Sequence, residues 1–398
     1  MLTYEEALET LLMAARPLSR TEIIDSHLAL GRVLAEPVCS TINVPPTDNS
    51  AMDGYALRVA DVGNLPTRLP VSLRVPAGAA PGVLPEGSAA RIFTGAPIPS
   101  GADVVVPQEK CKAEEAGVIF EQALRAGDNI RRTGEDIRIG AEVLSAGTLL
   151  GPAHMGLLAS IGVAQVRVYD RLRVAAFFTG DELVMPGEAL GPGKIYNSNR
   201  HVLHGLLGAL GCVVTDLGII PDNLDATRAA LREAAKGHDL IMTSGGVSVG
   251  EEDHVKNALQ AEGELQTWKI AIKPGKPLAF GKVAGTPFIG LPGNPVSGFV
   301  TFRILAQPYI RKYQGASVVR PRAVTLRADF SWTKKIQMRE FLRVRRNEQG
   351  GLDLFPRQGS GVLSSCVWAD GMVENPPETV IQPGDMVRYI PFGELLWA

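Results

Sequence analysis

Residues 240–255 read LIMTSGGVSVGEEDHV: an apolar strand candidate, a loop carrying Ser244, Gly245, Gly246, Ser248 and Gly250, then Glu251, Glu252 and Asp253 opening a predicted helix. A glycine-rich strand-to-helix turn suits a phosphate, because bare backbone N–H groups and the helix N-terminus both point at it. Three carboxylates in the same place would repel a naked phosphate. A Mg²⁺ ion held by one or two carboxylates and by phosphate oxygens reconciles the two features. The charge that remains calls for nearby cations. The segment WKIAIKPGKPLAFG at 268–281 offers Lys269, Lys273 and Lys276, and its KPGKP turn presents ammonium groups and backbone donors together.

Other predicted strands end in similar loops. RLRVAAFF is followed by TGDEL with Asp181 and Glu182, DLGII by PDN with Asp222, and PFIG by LPGNPVS with Pro292, Gly293, Asn294, Pro295 and Ser297. Any one of these is an ordinary strand end, since Gly, Pro, Asp and Asn are turn and cap residues. In an open parallel sheet, however, ligands sit beyond the carboxyl ends of the strands, so the loops converge there. Carboxylates brought close together imply a shared divalent ion or a raised pKa. A second set of polar stretches lies upstream: PPTDNSAMDGYALR at 45–58 with Asp48, Asn49, Ser50 and Asp53, IFTGAPIPSGAD at 92–103 with Thr94, and NIRRTGEDIR at 129–138 with Arg131, Arg132, Glu135 and Asp136. Their mixed charge suits a second wall of a site, facing the α/β domain of another subunit. Other chemistries fail on inspection. There is no GxxxxGK[ST] phosphate loop and no GxSxG elbow, and His201 and His204, three apart on a predicted helix, have no third ligand at zinc spacing.

Positioning these groups takes a chain of 398 residues, enough for about two to four domains. With 45% hydrophobic and 21% charged residues it belongs with folded globular proteins, and a formal charge of −2 provides no footprint for nucleic acid. The cysteines, Cys39, Cys111, Cys212 and Cys366, form no CxxC pair, which excludes a zinc ribbon or disulfide framework and fits a reducing compartment. Glu5, Glu6 and Glu9 exclude a signal peptide, and no apolar run approaches the ~18 residues of a membrane span. We therefore expect a cytoplasmic protein with no membrane partner.

Four zones follow. Residues 1–44 and 146–168 form a discontinuous helical domain, opened by a helix with Thr3 and Glu6 as a capping box and Leu8, Leu11, Leu12 and Ala15 on one face, and closed by GPAHMGLLASIGVAQV at 151–166. Residues 45–145 form an inserted all-β domain built on runs such as VSLRV, ARIFTG, DVVVP and GVIFE. Residues 169–316 alternate apolar strands with helices at SNRHVLHGLLGAL, NLDATRAALREAAKG, EDHVKNALQAEG and PVSGFVTFRILAQPYIRKY, the signature of a mostly parallel, three-layer α/β domain. Residues 317–398 return to short strands, AVTLRADF, FLRVRR and DMVRYIPF, as in a small β-barrel or sandwich.

In this order SAMDGYA, IFTGAPIP, RRTGED, TGDEL, YNSN, SGGVSVGEED, KPGKPLAFG and LPGNPVS closely resemble the molybdopterin molybdenumtransferase family, the MoeA-type proteins also found as the E domain of gephyrin. The likeness spans nearly the whole chain. It implies an α/β molybdopterin-binding domain, an inserted all-β domain, a small helical domain and a C-terminal β-barrel. It also implies insertion of molybdenum from molybdate into adenylylated molybdopterin with Mg²⁺ and release of AMP, in a homodimer whose cleft lies between the α/β domain of one subunit and the β domain of the other. Matching motifs assign catalytic roles to Asp53, Asp136, Glu182, Asp222, Asp253, Lys269 and Lys273, with Glu182, Asp222 and Asp253 about the metal. Substrate-binding roles fall to Thr94, Arg131, Asn197, Ser198, Ser244, Gly245, Gly246 and Ser248, and to Pro292, Asn294 and Pro295. Lys273 and Lys276, with Ser297, Arg343 and Ser365, would hold the molybdate oxyanion; tungstate is nearly the same in size and charge. Partners of such an enzyme are a molybdopterin adenylyltransferase upstream and cofactor-handling proteins downstream. Two other readings share part of the pattern: an adenylyltransferase, which would consume ATP, and a non-catalytic cofactor carrier or scaffold.

Overall fold

A computed structural model describes residues 1–80, 82–246 and 254–393, the Thr267 side chain excepted. The chain forms two compact units, one of residues 1–36, 146–155 and 165–398 and one of residues 37–145 and 156–164.

Within the first unit a six-stranded sheet organises everything else. Its strands are β1 Arg173–Thr179, β2 Val213–Ile220, β3 Leu240–Ser244, β4 Gly263–Lys269, β5 Pro277–Val283 and β6 Thr286–Leu291, in spatial order β2-β1-β3-β6-β5-β4. The first four in that order run parallel, while β5 is antiparallel to both β6 and β4. Both faces are covered. Successive residues therefore enter opposite cores: Val174, Ala176 and Phe178 pack with helices Ser198–Ala209 and Pro295–Thr301, and Ala175 and Phe177 with helices Leu224–Ala235 and His254–Glu262. A strand buried on both sides reads as a continuous apolar run, which is why RLRVAAFF and HDLIMTS are legible. The chain crosses from one face to the other around β1 and β3, and a crevice opens there.

Two strands of this sheet have no counterpart among the expected ones. The segment expected to be a lysine-bearing turn is flanked by β4 and β5; β4, GELQTWK, is a polar edge strand with no apolar run to announce it. The predicted helix 295–313 is continuous but passes through a π turn at Phe302–Ala306, which ends two residues before Pro308, a residue with no N–H to donate to the ladder. The segment 151–166 is helical only over Pro152–Ser160. Gly162, at φ +77°, stops it, and Gln165–Tyr169 becomes a strand paired with Thr21–Asp25.

The opening helix Tyr4–Ala14 has its capping box in place, Glu6 N donating to Thr3 Oγ1 at 3.2 Å and Thr3 N to Glu6 Oε2 at 2.8 Å, and it buries Leu8, Leu11 and Leu12. The C-terminal strands β7 Val324–Ala328, β8 Arg339–Arg346, β9 Gly351–Leu354, β10 Gly371–Asn375 and β11 Met386–Pro391 close into a barrel in the order β8-β9-β7-β11-β10-β8. A short strand, Ile272–Lys273, joins β8 from outside the barrel. The second unit is β-rich, with a four-stranded sheet of Val71–Val75, Ala89–Ile92, Gly54–Leu57 and Val104–Pro107 and a three-stranded one of Thr67–Leu69, Gly117–Phe120 and Cys111–Glu114. Among the described residues no helix is long and apolar enough to cross a membrane.

The start of β1 is tied to the N-terminal segment by charge. Arg20 donates to both carboxylate oxygens of buried Asp239, at 3.0 and 2.9 Å, and Arg173 N donates to Oδ2 at 2.8 Å. Burial alone would raise the Asp239 pKa, but the hydrogen bonds from Arg20 and Arg173 bring it below the ordinary carboxylate value. A depressed carboxylate contributes stability above its unfolded pKa of ~3.9 and loses it as pH falls through the folded value. We expect Arg20→Ala to cost about 1–2 kcal/mol at neutral pH, discounted because Arg20 is half-exposed. The gap between variant and wild-type Tm should shrink as pH falls through the carboxylate range; a pH-independent gap would refute this account.

Candidate active site

Beyond the carboxyl ends of the parallel strands lies an open cavity of about 760 Å³. Each strand end contributes to it. Thr179, Gly180 and Glu182 follow β1, Asp222 follows β2, Ser244, Gly245 and Gly246 close β3, and Pro292 to Pro295 with Ser297 follow β6. Asn197, Ser198 and Asn199, at the N-terminus of helix Ser198–Ala209, form a further side, and Gly361 reaches in from the barrel region.

Two glycines allow the strand ends to come this close. Gly245 sits at φ +101°, and a Cβ there would lie 2.7 Å from the Thr179 carbonyl oxygen. At Gly180 a Cβ would meet Glu182 Oε2 at 2.6 Å, so the Glu182 carboxylate folds back over the strand end. The loops are then cross-tied. Asn199 Nδ2 donates to Ser244 Oγ at 2.9 Å and to Gly293 O at 2.7 Å, while Ser244 Oγ donates to Pro292 O at 3.1 Å. Asn197 caps its helix, with Oδ1 accepting from Arg200 N at 3.1 Å. That bond fixes which way the amide faces, because Nδ2 turned toward Arg200 N would set donor against donor. Among the described residues the Asn197 Nδ2 and the Thr179 hydroxyl are buried without a partner. A buried unsatisfied donor costs about 1–3 kcal/mol, which an acceptor on a ligand would recover.

Among the described residues the cavity wall carries two carboxylates, Glu182 and Asp222, and no lysine or arginine. Lys269 and Lys276 are exposed, and Lys273 lies with Nζ 3.3 Å from Glu340 Oε1. The turn carrying them still touches the cavity: Pro277 lines it, and a Cβ on Gly275 would lie 3.3 Å from the carbonyl of Ser297, another lining residue. Arg343 and Ser365 are not among the cavity's lining residues and are fully buried. Arg343 donates from Nε to Ser365 Oγ at 3.2 Å, from Nη1 to Phe341 O at 3.0 Å and from Nη2 to Gly359 O at 3.4 Å. Burial brings its pKa down to about 10, so the guanidinium stays charged at neutral pH while bracing the loop that ends at Gly361.

Asp53, Thr94, Arg131 and Asp136 belong to the second unit, where the three polar stretches singled out in the sequence meet. Asp53 Oδ1 accepts from Thr94 N and Oγ1, both at 2.8 Å, and these bonds lower its pKa. Ile130–Arg131 pairs with Asn49–Ser50, and Asn49 bridges Pro97. Asp136 is exposed and bonds through its backbone to Val44 O at 3.0 Å. Ser248 and Asp253 lie outside the described residues. Sequence reasoning passed over Thr179 and Asn199, although Asn199 stands in the quoted YNSN and Thr179 opens TGDEL. Only long-range contacts, across 45 and 94 residues for Asn199, reveal what it does.

Among the described residues no group of three or more His, Cys, Asp and Glu side chains is placed to hold a metal. Two carboxylates in one cavity still suit Mg²⁺, which binds through one or two carboxylates with the rest of its shell from phosphates and water.

Comparison with known proteins matches the chain in three stretches: the MoeA N-terminal region (domain I and II) over residues 2–162, a probable molybdopterin binding domain over 175–312, and the MoeA C-terminal region (domain IV) over 325–392. The molybdopterin molybdenumtransferase of Haemophilus influenzae is 41% identical over the full length of both chains. The molybdopterin molybdenumtransferase 2 of Mycobacterium tuberculosis is 36% identical over 95% of each. The solved structure of the molybdopterin biosynthesis moeA protein from Pyrococcus horikoshii OT3 superposes with a TM-score of 0.86 at 30% identity, covering 98% of this chain and 100% of that one. With a full-length relative at 41% identity and all three regions matched, this chain belongs to the molybdopterin molybdenumtransferase family.

Proposed function

We propose that this protein inserts molybdenum from molybdate into the dithiolene of adenylylated molybdopterin, releasing AMP, as a step of molybdenum cofactor biosynthesis. The observation that carries this reading is the cavity at the strand ends, which combines a helix N-terminus, two carboxylates and two polar side chains without a partner among the described residues in a volume of about 760 Å³. That volume lies within the ~300–1,000 Å³ range of ligand pockets. The N-terminus of helix Ser198–Ala209 favours phosphate oxygens, and the fixed Asn197 amide offers them a donor. Ile195 and Tyr196, exposed at the same wall, provide apolar surface for a planar ring.

Molybdate is a dianion and must be brought beside a pyrophosphate, so Lys273 and Lys276 on the adjoining turn are assigned to it, with Ser297 beneath. Its oxo groups leave as water once protonated, and in this reading Glu182 and Asp222 hold and deliver those protons. With Asp253, the same carboxylates would hold Mg²⁺, which supplies charge neutralisation at the pyrophosphate. In this reading the protein works in the cytoplasm as a homodimer, and a partner copy contributes Asp53, Thr94, Arg131 and Asp136 as the facing wall. It receives its substrate from a molybdopterin adenylyltransferase and hands the product to downstream cofactor-handling proteins.

The test is to incubate purified protein with adenylylated molybdopterin, Mg²⁺ and molybdate, following AMP release and reconstitution of a cofactor-free molybdoenzyme. Molybdate-dependent AMP release that yields active enzyme is expected. Binding of the adenylate without turnover would favour a carrier, and consumption of ATP an adenylyltransferase.

A further inference from the structure

We propose that Glu340 is a positioning residue for the oxyanion substrate, holding the Lys273 ammonium where the KPGKP turn meets the cavity; the inference rests on the assignment of Lys273 to molybdate.

The barrel delivers this lysine. Ile272–Lys273 runs parallel to β8 as an added strand, with Lys273 opposite Glu340 in the register, and Arg339 N donates to Ala271 O at 2.9 Å. Glu340 is 2% exposed, and a carboxylate so buried is costly unless its oxygens are partnered. Both are. Oε2 accepts from Trp332 Nε1 at 2.6 Å, and Oε1 faces Lys273 Nζ at 3.3 Å. Trp332 is itself packed in the barrel core, so it locks the carboxylate, and the carboxylate in turn fixes the lysine.

The Lys273 side chain is 44% exposed, yet its head is held. A free lysine gives up roughly 2 kcal/mol of rotamer freedom on engaging an anion, and here much of that loss has already occurred in the folded protein. An ammonium has three donors. Glu340 holds the ammonium at ion-pair distance, which leaves its donors for an oxyanion. Beyond Lys273 the turn is equally constrained: Gly275, at φ +110°, lies so close to the cavity-side helix that a Cβ would sit 2.1 Å from Thr301 Oγ1. The lysine therefore stands on a frame set by the barrel on one side and helix Pro295–Thr301 on the other.

Glu340→Gln is a sharp probe, since the amide keeps an acceptor for Trp332 but turns an NH₂ toward the ammonium. Steady-state kinetics with each substrate varied should show about a tenfold rise in KM for molybdate, the scale seen when an outer-shell partner is lost. Affinity for adenylylated molybdopterin should be unchanged. In a Lys273→Ala background the same substitution should add nothing, whereas a merely structural role would add the same penalty in both. Trp332→Phe, which removes only the indole donor and keeps the packing, should move KM for molybdate in the same direction by less, and serves if the Gln variant does not fold. Wild-type KM for molybdate in the Glu340 and Trp332 variants, with Lys273→Ala impaired, would overturn the proposal alone. A Lys273→Ala enzyme with unchanged KM for molybdate would overturn the lysine assignment and the proposal with it.

Discussion

Gly245→Ala is expected to weaken binding of adenylylated molybdopterin by about 100-fold while the protein remains folded. At φ +101° any side chain is strained, at a cost of order 1–3 kcal/mol. The added Cβ would also stand 2.7 Å from the Thr179 carbonyl oxygen, a backbone atom of the adjacent strand that cannot rotate away. Relief has to come from moving the loop off β1, and that shifts the backbone donors a phosphate would use. Gly237→Ala separates the two effects. Gly237 has φ +76°, and a Cβ there would meet nothing within 4 Å, so its substitution carries the backbone strain without the clash and lies at the far end of the sheet from the cavity. We expect it to lower Tm modestly and leave ligand affinity intact. Calorimetric titration and thermal melts of both variants decide the matter: adenylate affinity in the Gly245 variant equal to that of the Gly237 variant would remove Gly245 from the site.

How much of this arrangement can be read from residues alone depends on where the signal lies. The inner parallel strands β1, β3 and β6 are buried on both faces, and their continuous apolar runs, with the partly buried β2 at the edge, expose the strand ends on which TGDEL, PDN, the glycine loop and LPGNP sit. The fold class follows from that alternation. β4 shows no such run because it is a polar edge strand, and β9 and β10 are too short, four and five residues, to stand out between turns. At the site, glycines and carboxylates announce themselves by type. Asn199 and Glu340 do not, because an amide joining Ser244 to Gly293, or a carboxylate joining Trp332 to Lys273, acts only through partners remote in the chain. Arg343 shows the limit of a matched motif most clearly. The resemblance assigns it to the oxyanion, and only the fold reveals that its nitrogens donate to Ser365, Phe341 and Gly359.

The other large effect concerns the two carboxylates that line the cavity. Glu182→Gln and Asp222→Asn should each reduce molybdenum insertion by about 10²–10⁴-fold, the range for loss of a general acid or base. Both changes keep shape and remove charge, so folding should be spared: Glu182 is exposed and Asp222 half-buried. If the two residues serve a single cluster, each single variant already disables it, and the double variant will fall well short of the product of the two losses. Separating the readouts sharpens the assignment. A carboxylate that mainly holds Mg²⁺ at the pyrophosphate should, when neutralised, raise the Mg²⁺ concentration needed for half-maximal AMP release. One that mainly supplies protons to departing oxo groups should slow insertion at saturating Mg²⁺ while leaving the Mg²⁺ requirement where it was. Glu182, lying directly over Gly180 at the end of β1, and Asp222, two residues beyond the end of β2, stand on different strands, so the two behaviours can be divided between them. Wild-type rates of both AMP release and insertion in both single variants would mean that the chemistry is not carried by this cavity.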